Sequence, residues 1–180
     1  MATIDLPNNI LEALSTVLQQ LQQSLPEVKQ APDFSAIAFK WENGELKAIH
    51  QLKRIELNDL KGIERQKEKV LQNTEQFLNG LPANDVLLTG SRGTGKSSIV
   101  RALLTEYAEQ GLRLIEIERD DLSELPEIQN LIAERPEKFI VYCDDLAFNA
   151  EDENYRSLKS VLDGSVQSGS SNFIIYATSN

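Results

Sequence analysis

The stretch Gly90-Ser91-Arg92-Gly93-Thr94-Gly95-Lys96-Ser97 fits the phosphate-binding pattern G-x-x-x-x-G-K-[ST] without a mismatch. Ahead of it, Asp85-Val86-Leu87-Leu88-Thr89 reads as a short apolar strand; behind it, Ser97 to Leu104 has helical spacing and good helix formers. Strand, glycine loop and helix together form the context the pattern requires. Gly90, Gly93 and Gly95 allow a backbone whose successive N–H groups face inward as an anion nest, with a helix N-terminus beneath. Lys96 is then a mobile charge for β- and γ-phosphates, and the Ser97 hydroxyl is placed to ligate Mg²⁺. Ser98 completes the run as the helix begins. The plainer alternative is a glycine-rich turn that binds nothing. A chance match in a chain of this length is roughly a one-in-a-hundred event, and the flanking strand and helix make it rarer.

Outward from that loop, a second constellation lies about fifty residues on. Phe139-Ile140-Val141-Tyr142-Cys143 is an unbroken apolar run, as expected for a strand buried on both faces of a parallel sheet, and it delivers Asp144-Asp145 at its carboxyl end. This looks like a Walker B element. Asp144 would hold Mg²⁺ opposite Ser97, and Asp145 would orient or deprotonate an attacking water. An Asp-Asp helix cap or turn is the alternative reading of the pair alone. Cys143 is a buried small hydrophobe on this reading, because neighbouring carboxylates disfavour a thiolate.

Between and around these motifs, Leu112 to Ile117 reads as a strand after the stop at Gly111, followed by a helix from Leu125 to Ala133. A helix over Tyr155 to Leu162, a polar loop from Ser165 to Ser171 and a strand from Asn172 to Ala177 complete the series. Four strands alternating with helices predict a doubly wound α/β fold: a three-layer P-loop core with a mainly parallel sheet and its ligand at the carboxyl ends of the strands, where Asn180 joins the two motifs.

The first part of the chain differs in character. Asn8 or Asn9 can cap a helix with an apolar stripe through Ile10, Leu14, Val17, Leu21 and Leu25, ending at Pro26. That stripe suits packing on its own domain or holding a partner. Phe34 to Leu52 reads as a β-hairpin turning at Asn43-Gly44. A helix then runs from the turn near Gly62 to about Leu78. The expected organisation is residues 1–57 as helix plus hairpin and residues 58–180 as the nucleotide-binding core.

Composition narrows the classes. The formal charge of −10 gives no broad basic footprint of the kind nucleic-acid binding needs. Cys143 is the only cysteine, so no disulfide forms within one chain. Neither a signal peptide nor a membrane-spanning run is legible, so the expected location is cytoplasmic. His50 and Trp41 have no companions that would make them catalytic.

Gly90 to Ser98, Cys143-Asp144-Asp145-Leu146 and Tyr176-Ala177-Thr178-Ser179-Asn180 together resemble the core of an AAA+ ATPase. The match is closest to a prokaryotic AAA+ family catalogued as a domain of unknown function, from about Ala36 onward. Asp59-Leu60-Lys61-Gly62-Ile63-Glu64 is similar to that superfamily's lead-in, which implies that Gly62 and Ile63 line an adenine pocket. The resemblance implies ATP and Mg²⁺ as cofactors, Lys96 on the phosphates, Ser97 and Asp144 on the metal, Asp145 polarising water and Asn180 sensing the γ-phosphate. It also implies a homo-oligomer acting on a protein partner. Where most members carry Glu, this chain has Asp145, one methylene shorter. The family's fifth strand, arginine finger and helical lid would lie beyond Asn180, so these 180 residues are expected to be a fragment that hydrolyses ATP weakly or not at all. Two other classes fit the glycine loop: a nucleotide-gated interaction module with little turnover, and a small-molecule P-loop kinase.

Overall fold

The computed structural model describes residue 10, residues 14–17, residues 31–146 and residues 172–180. Most of the expected N-terminal helix, and all of the helix and loop expected between Tyr155 and Ser171, lie outside the described residues; Ile10 and residues 14–17 are helical. The chain divides into two compact units, 1–31 and 32–180, and the hairpin belongs to the second.

Among its described residues, that second unit is built on a six-stranded sheet. Its strands are β1 (Ala38–Glu42), β2 (Glu45–Ala48), β3 (Val86–Thr89), β4 (Leu112–Ile117), β5 (Lys138–Cys143) and β6 (Phe173–Ser179), in the spatial order β2-β1-β4-β5-β6-β3. All pairings are parallel except β1 with β2. The hairpin turns at Asn43 and Gly44, both at positive φ (56° and 70°), as a two-residue connection matching strand twist demands.

Among the described residues, three helices cover the sheet: α1 (Glu64–Leu78), α2 (Lys96–Tyr107) and α3 (Leu125–Ile132). Alternation along β5 shows how the layers are made. Ile140 and Tyr142 point into a core with Val70 and Phe77 of α1 and Ile99, Val100 and Leu103 of α2. Phe139, Val141 and Cys143 point into the opposite core with Leu125, Ile128 and Ile132 of α3. A strand buried on both faces has no polar alternation to display, which is why β5 reads as a continuous apolar run. No helix among the described residues is long and apolar enough to cross a membrane.

The hairpin has a partner that alternation alone did not specify. β1 extends the sheet at the end opposite the strand that leads into the glycine loop, with Ala38, Phe39 and Lys40 in register with Leu114, Ile115 and Glu116 of β4. The reason is packing. Phe39 and Trp41 are buried in the α3-side core, and Trp41 Nε1 donates to Glu124 at 2.5 Å, tying the hairpin to the Arg119–Glu124 3₁₀ segment ahead of α3. Among the described residues β3 pairs with β6 alone, and Leu87 on β3 is 55% exposed.

At the entry to β3, Asp85 stands one residue outside the strand, and its Oδ1 accepts the Ile175 N–H of β6 at 2.6 Å. Although Asp85 as a residue is exposed, desolvation of its carboxyl where it meets β6 raises the pKa, partly offset by that N–H. Asp85→Ala leaves the Ile175 N–H without its acceptor and is expected to destabilise the fold by about 1–3 kcal/mol, whereas Asp85→Asn, which keeps a side-chain oxygen, costs less. Urea denaturation of both variants checks the order.

Candidate functional site

The carboxyl ends of β3, β6 and β5 lie side by side, and each contributes residues to one cleft of about 420 Å³. It is lined by the loop from Arg92 to Ser98 and by Asp144, Asp145, Thr178 and Asn180. The loop leaves β3 at Thr89, and α2 begins at Lys96. Gly95, its N-cap, has φ 87°, a conformation that strains any residue carrying a Cβ. A Cβ there would also lie 3.3 Å from Ile63 Cδ1. This close approach brings the Gly62-Ile63 turn, with Gly62 at φ 77°, against the base of the glycine loop, although neither residue lines the cleft itself.

Lys96 reaches across the cleft. Its Nζ donates to the Gly90 carbonyl, to the Ser91 carbonyl at 3.0 Å and to Asn180 Oδ1 at 3.1 Å. Asn180 in turn donates through Nδ2 to Asp145 Oδ1, and Arg92 pairs with Asp145 Oδ2 at 3.0 Å. Both oxygens of Asp145 are therefore engaged, one by each side of the cleft. The Arg92 side chain is 83% exposed, so this ion pair is worth little to stability.

Asp144 is more enclosed. Ser97 Oγ donates to its Oδ1 at 3.1 Å and Oδ2 at 3.3 Å, Thr178 Oγ1 donates to Oδ1, and the Asp145 N–H lies 3.1 Å from Oδ1. Burial alone would raise its pKa; these donors outweigh it and hold the carboxyl below its ordinary range. A deprotonated carboxylate beside a hydroxyl, in a cleft whose lining among the described residues includes no Cys or His, is a hard oxygen donor set that fits Mg²⁺. The Cys143 thiol is buried, and its pKa is pushed up to about 11 by desolvation and by Asp144, which leaves it unreactive at neutral pH.

Of the residues expected from the sequence, Arg92 to Ser98, Asp144, Asp145 and Asn180 meet in this cleft, while Gly90 and Ser91 contribute carbonyls to Lys96. In the sequence, Thr178 is simply part of the closing run Tyr176 to Asn180, with no role attached to it. Its signal was a polar residue following the apolar series Phe173 to Ala177; the strand in fact continues to Ser179, so Thr178 is 1% exposed and faces the acids.

A family model described as "Protein of unknown function (DUF815)" matches residues 34–180. The chain belongs to that family. This DUF815 member has the fold of the AAA+ P-loop ATPases. It is similar to the crystal structure of a DNA replication initiation factor, with a TM-score of 0.51 and 19% identity over 73% of this chain and 43% of the other. AMPPCP-bound DnaA from Aquifex aeolicus aligns with a TM-score of 0.46 and 22% identity, over 67% and 39% of the two chains. By sequence, the replication factor C large subunit of Methanococcus maripaludis is 36% identical over 52 residues, 29% of this chain and 11% of that subunit. The DUF815 chain thus spans less than half the length of each of these proteins.

Proposed function

We propose that this chain is the Mg²⁺-dependent ATP-binding module of an AAA+ ATPase that hydrolyses ATP to ADP and phosphate, and that the intact enzyme works as a homo-oligomer on a protein partner. The observation that carries the reading is the convergence of Lys96, Ser97, Asp144, Asp145 and Asn180 in a single cleft at the carboxyl ends of three adjacent parallel strands. Loop N–H groups from Arg92 to Ser98 and the α2 N-terminus favour polyphosphate, and Lys96 adds a full charge to them. Ile63, packed against the loop at Gly95, and Gly62 before it would form the side on which the adenine rests.

Ser97 and Asp144 would hold Mg²⁺, which supplies charge neutralisation at the β- and γ-phosphates. Asp145 takes the role of orienting the attacking water and accepting its proton. Asn180 hydrogen-bonds both Lys96 and Asp145, so it links the residue on the phosphate to the residue on the water.

Calorimetric titration with ATP, with and without Mg²⁺, tests this division of labour. Asp144→Asn is expected to abolish the gain in affinity that Mg²⁺ gives. Asp145→Asn should leave Mg²⁺–ATP affinity within about twofold and lower turnover alone, the pattern of a residue used in the transition state. Equal losses of Mg²⁺–ATP affinity in both variants would overturn the assignment.

A further inference from the structure

The acids Asp144 and Asp145 stand at the end of β5, but much of what holds them comes from one residue on the neighbouring strand. Cys143 of β5 is in register with Ala177 of β6, so the next residues, Asp144 and Thr178, face each other where the two strands separate. Thr178 is 1% exposed. Its hydroxyl donates to Asp144 Oδ1 and lies 2.9 Å from the Asp145 N–H, while its carbonyl accepts the Leu146 N–H at 2.6 Å. Three consecutive residues after β5 are thereby tied to a single threonine.

The chemistry of a hydroxyl fixes the direction of these bonds. A carboxylate oxygen only accepts and a backbone N–H only donates, so the one Thr178 proton must go to Asp144 and its lone pair must face Asp145. The two bonds are mutually reinforcing, and they constrain different things. The first sets which oxygen of Asp144 is committed: Oδ1 receives Thr178, Ser97 and the Asp145 N–H, whereas Oδ2 receives Ser97 at the longer distance of 3.3 Å. Oδ2 is the oxygen with capacity left for a cation or its water. The second holds the backbone of Asp145 at φ 53°, a left-handed conformation that non-glycine residues keep only where their surroundings hold them in it.

We propose that Thr178 is the positioning residue of this site: its buried hydroxyl orients Asp144 so that Oδ2 faces the metal position, and it holds the left-handed turn that aims the Asp145 carboxylate into the cleft. The inference rests on the reading of Asp144 as a metal-holding carboxylate. Groups that orient metal-binding side chains through hydrogen bonds typically change metal affinity by about 10- to 100-fold when removed.

Thr178→Val keeps the shape and removes the hydroxyl; Thr178→Ser keeps the hydroxyl and removes a methyl group. Two measurements on the full 180-residue chain separate the outcomes. Amide exchange by NMR reports on the turn without any ligand: exchange at the Asp145 N–H is expected to quicken by about tenfold or more in Thr178→Val and to stay near wild type in Thr178→Ser. Titration of Mg²⁺ into the chain with ATP present is expected to show metal affinity down by about tenfold or more in Thr178→Val, with ATP affinity in EDTA unchanged and Thr178→Ser close to wild type.

Wild-type exchange at Asp145 in Thr178→Val, or an unchanged Mg²⁺ response in that variant, overturns the proposal while leaving the site's function standing. A wild-type chain that binds ATP no better with Mg²⁺ than without brings down the metal reading of Asp144, and the orienting role of Thr178 with it.

Discussion

Lys96→Ala is expected to reduce ATP affinity by at least about 100-fold while leaving the folded chain as stable as wild type to within about 0.5 kcal/mol. The first half follows from charge. A hydrogen bond to an ionised group contributes about 1.5–3 kcal/mol, and about 2.7 kcal/mol corresponds to that 100-fold. The second half follows from where the side chain sits. Its partners are the Gly90 and Ser91 carbonyls and Asn180 Oδ1, all exposed, and water can satisfy each of them when the amine is gone. Calorimetry with Mg²⁺–ATP and urea denaturation, run on the same preparation, give both quantities. Unchanged ATP affinity would remove the phosphate-binding reading of the loop altogether.

Phe139→Ala carries the second large effect, on stability. Phe139 opens the buried face of β5 in the α3-side core, with none of its surface exposed, and Phe34 meets its ring edge-on at a centroid distance of 6.5 Å. Its neighbours are held from both sides along the chain: Arg113 of β4 and Phe173 of β6 are its register partners. A cavity left between two paired strands cannot collapse far, so the expected cost is about 3–5 kcal/mol, at the upper range for such truncations. That is a large part of the roughly 5–15 kcal/mol that holds a domain together. A lowered urea midpoint with an unchanged denaturant slope is the expected signature. A loss below about 1 kcal/mol would mean that this core repacks far more freely than its burial indicates.

The parts of the molecule that were legible in advance are those whose chemistry is local. The glycine loop states its own backbone conformation, since Gly95 at φ 87° suits no other residue type well, and the run from Phe139 to Cys143 states its burial by having nothing polar in it. The strand from Leu112 to Ile117 is bounded as its residues suggest, because Gly111 at φ 93° ends the preceding helix.

What stayed hidden was set between segments far apart in sequence. Alternation in the hairpin gives its inner face but not its neighbour; the choice of β4 depends on Phe39 and Trp41 fitting beside Ile115 and under the Glu124 carboxylate. Thr178 becomes a site residue only through the register of β6 with β5, thirty-four residues from Asp144 along the chain. Asp85, expected as the first residue of a strand, instead stops short of the ladder and substitutes its side chain for a backbone acceptor. Each of these depends on a partner that no pattern within its own segment names.

The strand order also sets a distance. The strand that carries the loop and the strand that carries the acids are not neighbours: β6 runs between β3 and β5. Adjacent strands stand about 4.8 Å apart, so the two motifs are rooted about 9.6 Å from one another. The end of β6, with Asn180 one residue past it, forms the floor of that gap. β6 is therefore a spacer of fixed width, and the room that the proposed phosphates and cation would occupy is dictated by the hydrogen-bond spacing of the sheet. Side chains on either bank can tune what enters, but the gauge of the channel is a backbone property, so it stays the same when the residues that line it are exchanged.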